Sequence, residues 1–378
     1  MEILSLIWTN GAAFLFILTV IVFFHELGHF WVARRNGVRV EVFSIGFGPE
    51  LFGWTSATTG TRWKVSLLPL GGYVKMFGEG ATAGSGDDAR ELTDAEKSVS
   101  FYHKRVGQRA AIVAAGPIAN FILAIIILAT LFVTAGQPYT PAEIGQVQAG
   151  GAAEAAGMKP GDRILAIDGT AIERFEEVQR IVRLAPGQKL TMKVRRSGAE
   201  VTLTVVPKRT EMVDRFGNRT EVGLIGVSRT GTEFKKHGVV SGVTEAVTET
   251  WRLSVFTLQA VGQIIRGERS AQDLGGPIRI AQMSGQVAEV GLASVFWFLA
   301  VLSINLGLIN LFPVPMLDGG HLVFYGIEAV RGRPVSDRAI EIGFRIGLAL
   351  VISLFVFVTF QDLSRFEGIA RFFRGLLG

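Results

Sequence analysis

The hydrophobic positions of this chain gather in a few long runs, with stretches of ordinary soluble character between them. From Ile3 to Phe24 no residue is charged, and after His25–His29 and a further apolar stretch the next charges are Arg34 and Arg35. About 20 predominantly apolar residues make a helix long enough to cross a bilayer. On that basis the pattern predicts four spans: roughly residues 5–33, a segment within Ala110–Gly136, residues 293–317, and Ile342 to Phe360, where Arg345 can snorkel. The N-terminus lacks the basic start of a cleavable signal peptide, its only early charge being Glu2.

Between the spans the period changes. Val38–Val42 and Trp63–Leu67 alternate apolar and polar residues, as strands do, with glycine-rich turns between them. Residues 79–98 read as a flexible loop rich in Gly, Ala, Asp and Glu. A second strand-rich domain starts at Ile144–Val147. Its stretch Ala155–Gly169 resembles a PDZ domain, with a helix expected over Phe175–Leu184 and strands over Leu190–Arg195 and Glu200–Val206. A further strand and linker are expected over 211–242. Residues 243–266 are amphipathic and suited to a membrane surface.

The predicted fold class is therefore a polytopic α-helical membrane protein of about four spans, with a cytoplasmic, membrane-associated β region and one inserted periplasmic PDZ domain. Its segments are a first span (1–36), the β-rich loop (37–105), a second span (106–137), the PDZ-like domain (138–210), a periplasmic linker with an amphipathic helix (211–292), a third span (293–320), and a cytoplasmic loop, fourth span and tail (321–378). The orientation follows from charge. Basic clusters at 34–39, 104–109 and 331–345 share one side if the N-terminus is outside, and cytoplasmic loops carry the excess of Lys and Arg. Arg365, Arg371 and Arg374 in the tail weigh against it.

Composition narrows the chemistry. The chain is 49% hydrophobic and 19% charged, and its net charge of +5 comes with no aromatic-interleaved basic patch, so nucleic acid is not an expected partner. It has no cysteine. That excludes thiolate metal sites, cysteine nucleophiles and disulfides, and leaves His, Asp and Glu as metal ligands. His25-Glu26-Leu27-Gly28-His29 supplies them inside the first span. On a helix, His25 and His29 share a face and can hold one metal ion, with Glu26 beside them as general base. Ionisable residues at membrane depth are costly and mark functional sites. The first and third spans run in the same direction, which puts Asp318, at the end of the third, at the depth of the two histidines. It is the best candidate for a third ligand, with His321 as a rival. Pro313 and Pro315 cannot sit in an unbroken helix. Broken backbone at that depth is tolerated where it lines a wet cavity. Asn310 can offer a hydrogen bond to an oxyanion or a substrate backbone. Asn120 reads as a helix–helix hydrogen bond.

With these residues in hand, the chain resembles the site-2 protease family, in particular its RseP-type branch of regulators of sigma-E. The resemblance rests on the HExxH, on Asn310-x-x-Pro313-x-Pro315-x-x-Asp318-Gly319 and on the intervening PDZ-like domain. Phe43–Pro49, Leu70–Val74, Ala115–Phe121 and Gly275–Ile278 add to it. It implies an intramembrane zinc endopeptidase of the bacterial inner membrane, with Zn2+ on His25, His29 and Asp318, catalytic Glu26, and Asn310 positioning substrate. Implied substrates are single-span membrane proteins such as anti-sigma factors, already shortened by an upstream site-1 protease, and leftover signal peptides. RseP-type proteins carry two PDZ domains in tandem, and one is found here. The alternatives are a non-catalytic PDZ adaptor with a structural metal, against which Glu26 argues, and a metal transporter, against which the large insert and the lack of an inverted repeat argue.

Overall fold

The computed structural model describes residues 2–78, 92–213, 219–231, 233–267 and 275–364. In chain order its elements are α1 (Glu2–Arg35), β1 (Val40–Thr55), β2 (Arg62–Met76), α2 (Asp94–Val99), α3 (Val106–Thr134), β3 (Gln137–Tyr139), β4 (Ile144–Val147), α4 (Ala152–Ala155), β5 (Arg163–Ile167), β6 (Thr170–Ala171) and α5 (Phe175–Arg183). There follow β7 (Leu190–Arg196), β8 (Ala199–Val205), β9 (Lys208–Val213), β10 (Arg219–Leu224), β11 (Val227–Arg229), β12 (Glu233–Lys235), α6 (Val239–Ile265), α7 (Pro277–Val290), α8 (Leu292–Asn310), α9 (Asp318–Arg331) and α10 (Asp337–Ser364). The chain divides into two compact units: Met1–Thr130 with Val243–Gln259 and Ala271–Gly378, and Leu131–Gly242 with Ala260–Ser270.

Among the described residues, four helices are long and apolar enough to cross a membrane, at Asn10–Arg35, Val106–Thr134, Leu292–Asn310 and Asp337–Leu363. Helix α1 ends where Gly37 takes a left-handed φ of 70° and Val38 N–H returns to the Ala33 carbonyl at 2.9 Å, satisfying a carbonyl the helix leaves orphaned. This turn sends the chain into β1, which pairs antiparallel with β2. The ladder is bulged, so Val42–Ile45 meets both Arg62–Val65 and Gly72–Lys75. Gly46 and Gly48, with φ of 89° and 86°, lie at the bend. The base of this hairpin is core: Phe43, Val74 and Met76 are buried with Ala33, Ile112 and Tyr325, and Phe43 stacks on Trp63 at 4.5 Å. Burying a side chain such as Phe43 contributes about 1.5–3 kcal/mol. Farther out, Phe47, Leu51, Phe52, Trp54, Leu67 and Leu68 are exposed.

Several expectations change. Residues 79–91 of the expected loop lie outside the described residues, but Asp94–Val99 is helical, started by a reciprocal Thr93–Glu96 capping box. The third span stops at Asn310 rather than continuing to 317, because Pro313 and Pro315 follow. The expected loop after Asp318 is helix α9. Residues 277–290 are a helix, not linker. Helix α7 packs its Ile280, Val287 and Ala288 against Ile17, Ile21 and Leu299, and Gly285 lies so close to Asn10 that no Cβ fits between them. Asp362 of α10 accepts hydrogen bonds from the N–H groups of Gly276 (3.2 Å) and Arg279 (3.0 Å), capping α7's first turn.

The second unit carries the expected strand–helix–strand order. A four-stranded sheet, β6-β5-β7-β8, is antiparallel throughout, with α4 and α5 beside a core of Ile144, Ile164, Ile167, Val178, Met192 and Val194. Alternation in β7 buries Leu190, Met192 and Val194. Buried Asp162 accepts two 2.7 Å hydrogen bonds from Arg196. Burial pushes its carboxyl upward, but Arg196 and the Lys159 N–H outweigh this and hold it below the ordinary range. The boundary expected at 210 moves to 242. Strand β11 returns to pair with β4, and β12 with β3, so the unit closes only after the later strands. An open groove of about 630 Å³ runs among Gln146–Gln148, Phe175, Val178 and Leu224.

Candidate metal centre

His25 and His29 are both buried, one turn apart on α1. Their Nε2 atoms stand 3.2 Å from each other. Asp318 Oδ2 is 3.2 Å from His25 Nε2 and 3.6 Å from His29 Nε2. This oxygen is buried and makes no hydrogen bond, although two imidazole nitrogens surround it. Three donor atoms thus form a nearly equilateral triangle. Ligands held tetrahedrally about 2.0–2.1 Å from a zinc ion stand about 3.3 Å apart, the size of this triangle. The donor set fits as well: two neutral imidazoles and one carboxylate, with Glu26 adjacent, so that a dication balances two carboxylates in an apolar surround. The residues present fit a zinc ion, with a fourth position left to water.

The arrangement depends on short side chains at the crossings. A Cβ on Gly28 would lie 2.3 Å from the Ala115 carbonyl oxygen, so α1 and α3 meet backbone to backbone there. A Cβ on Gly116 would lie 2.2 Å from His29 Nε2 and 2.9 Å from His25 Cε1. On either side of Gly116, α3 reaches the far nitrogens of the two rings: the Ile112 carbonyl is 2.9 Å from His29 Nδ1, and the Asn120 amide is 3.2 Å from His25 Nδ1. Ile112, Gly116 and Asn120 recur every fourth residue, one face of a helix.

Asp318 is the first residue of α9, and the turn before it is tightly built. Met316 adopts a left-handed φ of 88°, a strained state for a residue with a side chain. A Cβ on Gly319 would lie 2.3 Å from both the Leu311 and Phe312 oxygens, and one on Gly320 2.4 Å from the Val314 oxygen. Asp318 therefore takes its place because two glycines let α9 start flush against the proline turn. Farther along α9, Glu328 receives a 2.6 Å charge-assisted hydrogen bond from Arg109, which ties α9 to the start of α3.

Of the residues singled out from sequence, the structure brings together His25, His29 and Asp318. Glu26 lies on the same turn, its Cγ within 3.1 Å of where a Gly72 Cβ would be, so β2 runs directly past it. Asn310 ends α8, eight positions before Asp318. The His321 ring packs against Phe344 at 5.1 Å, and His321 is not part of the donor cluster. Sequence reasoning missed Gly116 and Ile112. The signal for Gly116 was a small residue one turn before Asn120; a backbone carbonyl such as that of Ile112 leaves no mark in a sequence.

Similarity to known proteins agrees with this chemistry. A protein named zinc metalloprotease from Agrobacterium fabrum is 46% identical, over 94% of this chain and 96% of that one. Metalloprotease MmpA of Caulobacter vibrioides is 38% identical, over 96% and 97%. The regulator of sigma-E protease RseP of Salmonella typhimurium is 33% identical, over 96% and 100%. A solved PDZ domain of an SdrC-like protein from Listeria monocytogenes aligns at 17% identity and a TM-score of 0.20, over 24% of this chain and 90% of that one. The model of peptidase family M50 matches residues 13–354, which takes in both arms of the buried His–His–Asp cluster, and the chain belongs to that family of site-2, zinc-dependent metalloendopeptidases.

Proposed function

We propose that the chain is an intramembrane endopeptidase that cuts the transmembrane segments of single-span proteins, of anti-sigma-factor type or signal-peptide remnants, after a site-1 protease has shortened them outside. The observation that carries this is the triangle of His25, His29 and Asp318, two of whose corners lie on a helix long and apolar enough to cross a membrane. In this reading His25, His29 and Asp318 hold the zinc. When bound, the ion polarises the scissile carbonyl and acidifies a water. Glu26 takes the proton of the attacking water and returns it to the leaving amine. Asn310 steadies the substrate backbone or the developing oxyanion.

A helical substrate hides its carbonyls in hydrogen bonds, so cleavage requires a local unwinding. The segment Gly72–Val74 of β2, which passes Glu26, suits an extended substrate added as a further strand. The N-terminus is outside, the β1–β2 hairpin is cytoplasmic and the second unit is periplasmic, in a bacterial inner membrane; the basic clusters support this orientation.

The test is cleavage of a panel of single-span substrates by the purified full chain, with and without a chelator. Activity is expected to vanish with the chelator and return with zinc. Glu26→Gln is expected to abolish turnover and keep about one zinc per chain. Asp318→Ala is expected to lose both, while His321→Ala keeps its metal. Full turnover by Glu26→Gln would refute the mechanism.

A further inference from the structure

We propose that Asn120 is the positioning residue of this metal centre: its side-chain oxygen accepts the Nδ1–H of His25 and so turns the Nε2 lone pair of that ring toward the zinc. The proposal rests on the reading of His25, His29 and Asp318 as ligands.

A neutral imidazole that ligates through Nε2 carries its proton on Nδ1, and in a buried site that proton needs an acceptor. His29 has one, the Ile112 carbonyl at 2.9 Å. Beside His25 Nδ1 stands the side-chain nitrogen of Asn120, at 3.2 Å and fully buried. An amide carries a donor and an acceptor that exchange places by a half-turn of its plane, within the same volume. With the NH2 toward Nδ1, the Asn120 oxygen stays buried without a partner, and His25 keeps its proton on Nε2, where a metal must sit. With the oxygen toward Nδ1, that acceptor is used and Nε2 is free to ligate. The half-turn leaves the NH2 where the oxygen stood, so the number of paired polar groups does not choose between the two orientations; ligation through Nε2 does.

Asn120 is also held firmly enough to aim a ring. The Ser303 hydroxyl of α8 donates to its backbone oxygen at 2.9 Å, in a place where Ser303 is itself buried. One face of α3 then serves both ligands: Ile112 orients His29, Asn120 orients His25, and Gly116 between them leaves room for the rings.

The experiment measures zinc affinity of the full-length protein in detergent by competition with a chromophoric chelator, and the visible spectrum of the cobalt-substituted form. Asn120→Asp keeps an acceptor and is expected to bind zinc as tightly as wild type or more tightly, with a similar cobalt spectrum. Asn120→Leu, of similar size, removes it and is expected to bind about 10–100-fold more weakly, with shifted cobalt bands. If Asn120→Leu does not fold, Asn120→Ala replaces it. Equal affinity in wild type, Asp and Leu variants would reduce Asn120 to a packing residue and overturn the proposal. Weakening of the Asp variant as severe as that of the Leu variant would make Asn120 a donor and overturn it too. His25→Ala is the control for the ligand reading. If it binds zinc as well as wild type does, that reading fails and the proposal falls with it, an outcome distinct from the other two.

Discussion

Single residues at this centre are chosen as much for what they lack as for what they carry. Glycine inside a helix normally costs about 1 kcal/mol relative to alanine, so Gly116→Ala on an ordinary helix would stabilise it. Here the added methyl would sit 2.2 Å from the atom of His29 that points into the metal triangle. We expect Gly116→Ala to weaken zinc binding about tenfold or more, in line with the disturbance of an outer-shell contact. The measurement is chelator competition on the full chain, with circular dichroism as the check that helix content is unchanged; zinc affinity equal to wild type would show that the rings do not need this space. Much of the residue scale was legible beforehand. The i, i+4 histidines and the uncharged run around them pointed to a membrane-embedded metal motif, and the paired prolines pointed to a broken backbone before Asp318. What could not be read was which groups face the far nitrogens of the rings, because Ile112 acts through its main chain and Asn120 declares a polar contact without naming its partner.

At the scale of elements, the third arm of the candidate metal centre is made by a junction rather than by a helix alone. Helix α8 ends at Asn310, the prolines forbid its continuation, and α9 restarts at Asp318. A hydrophobicity profile carries the third span on to 317, past the true helix end at Asn310, and has no means of detecting the restart, so it leaves α9 as loop; the same blindness hides α7, whose apolar face is too short to stand out. Short helices of this kind owe their stability to packing, which a local pattern does not record. The junction makes a paired prediction. Gly319→Ala would bring its methyl within 2.3 Å of two carbonyl oxygens, pushing the start of α9 and Asp318 with it. We expect loss of zinc and of cleavage. Gly326→Ala lies on the same helix, exposed, with nothing within 4 Å of the new Cβ, and is expected to keep both and to gain up to about 1 kcal/mol of helix stability. Metal content measured on the two variants side by side separates a specific requirement at the junction from a general intolerance of α9; equal zinc content in both would remove the junction from the account.

For the whole molecule, the question is what the second unit contributes beside a candidate metal centre whose described residues all lie in the first. The described centre draws its donors and their partners from α1, α3 and α9, all within Met1–Thr130 and Ala271–Gly378. On the proposed function, two roles for the second unit can be told apart: holding a peptide in its groove, or excluding bulk. The strand pairing shows where to cut. Pro138 faces Phe234 across β3 and β12, so removing 139–233 leaves two ends side by side that a short Gly/Ser linker can join. A deletion ending near 207 would instead strand β11 without its partner β4. If the unit excludes bulk, the deletion keeps cleavage of short substrates and newly permits cleavage of substrates with large outer domains, raising the ratio of long to short substrate cut. A partial rise is enough to support exclusion. If the groove among Gln146–Gln148, Phe175 and Val178 captures peptide, short-substrate cleavage falls instead while zinc content stays at wild-type level. We expect the first outcome. An unchanged ratio with short-substrate activity preserved would rule out exclusion, because the unit would then be absent without consequence for the entry of bulky substrates.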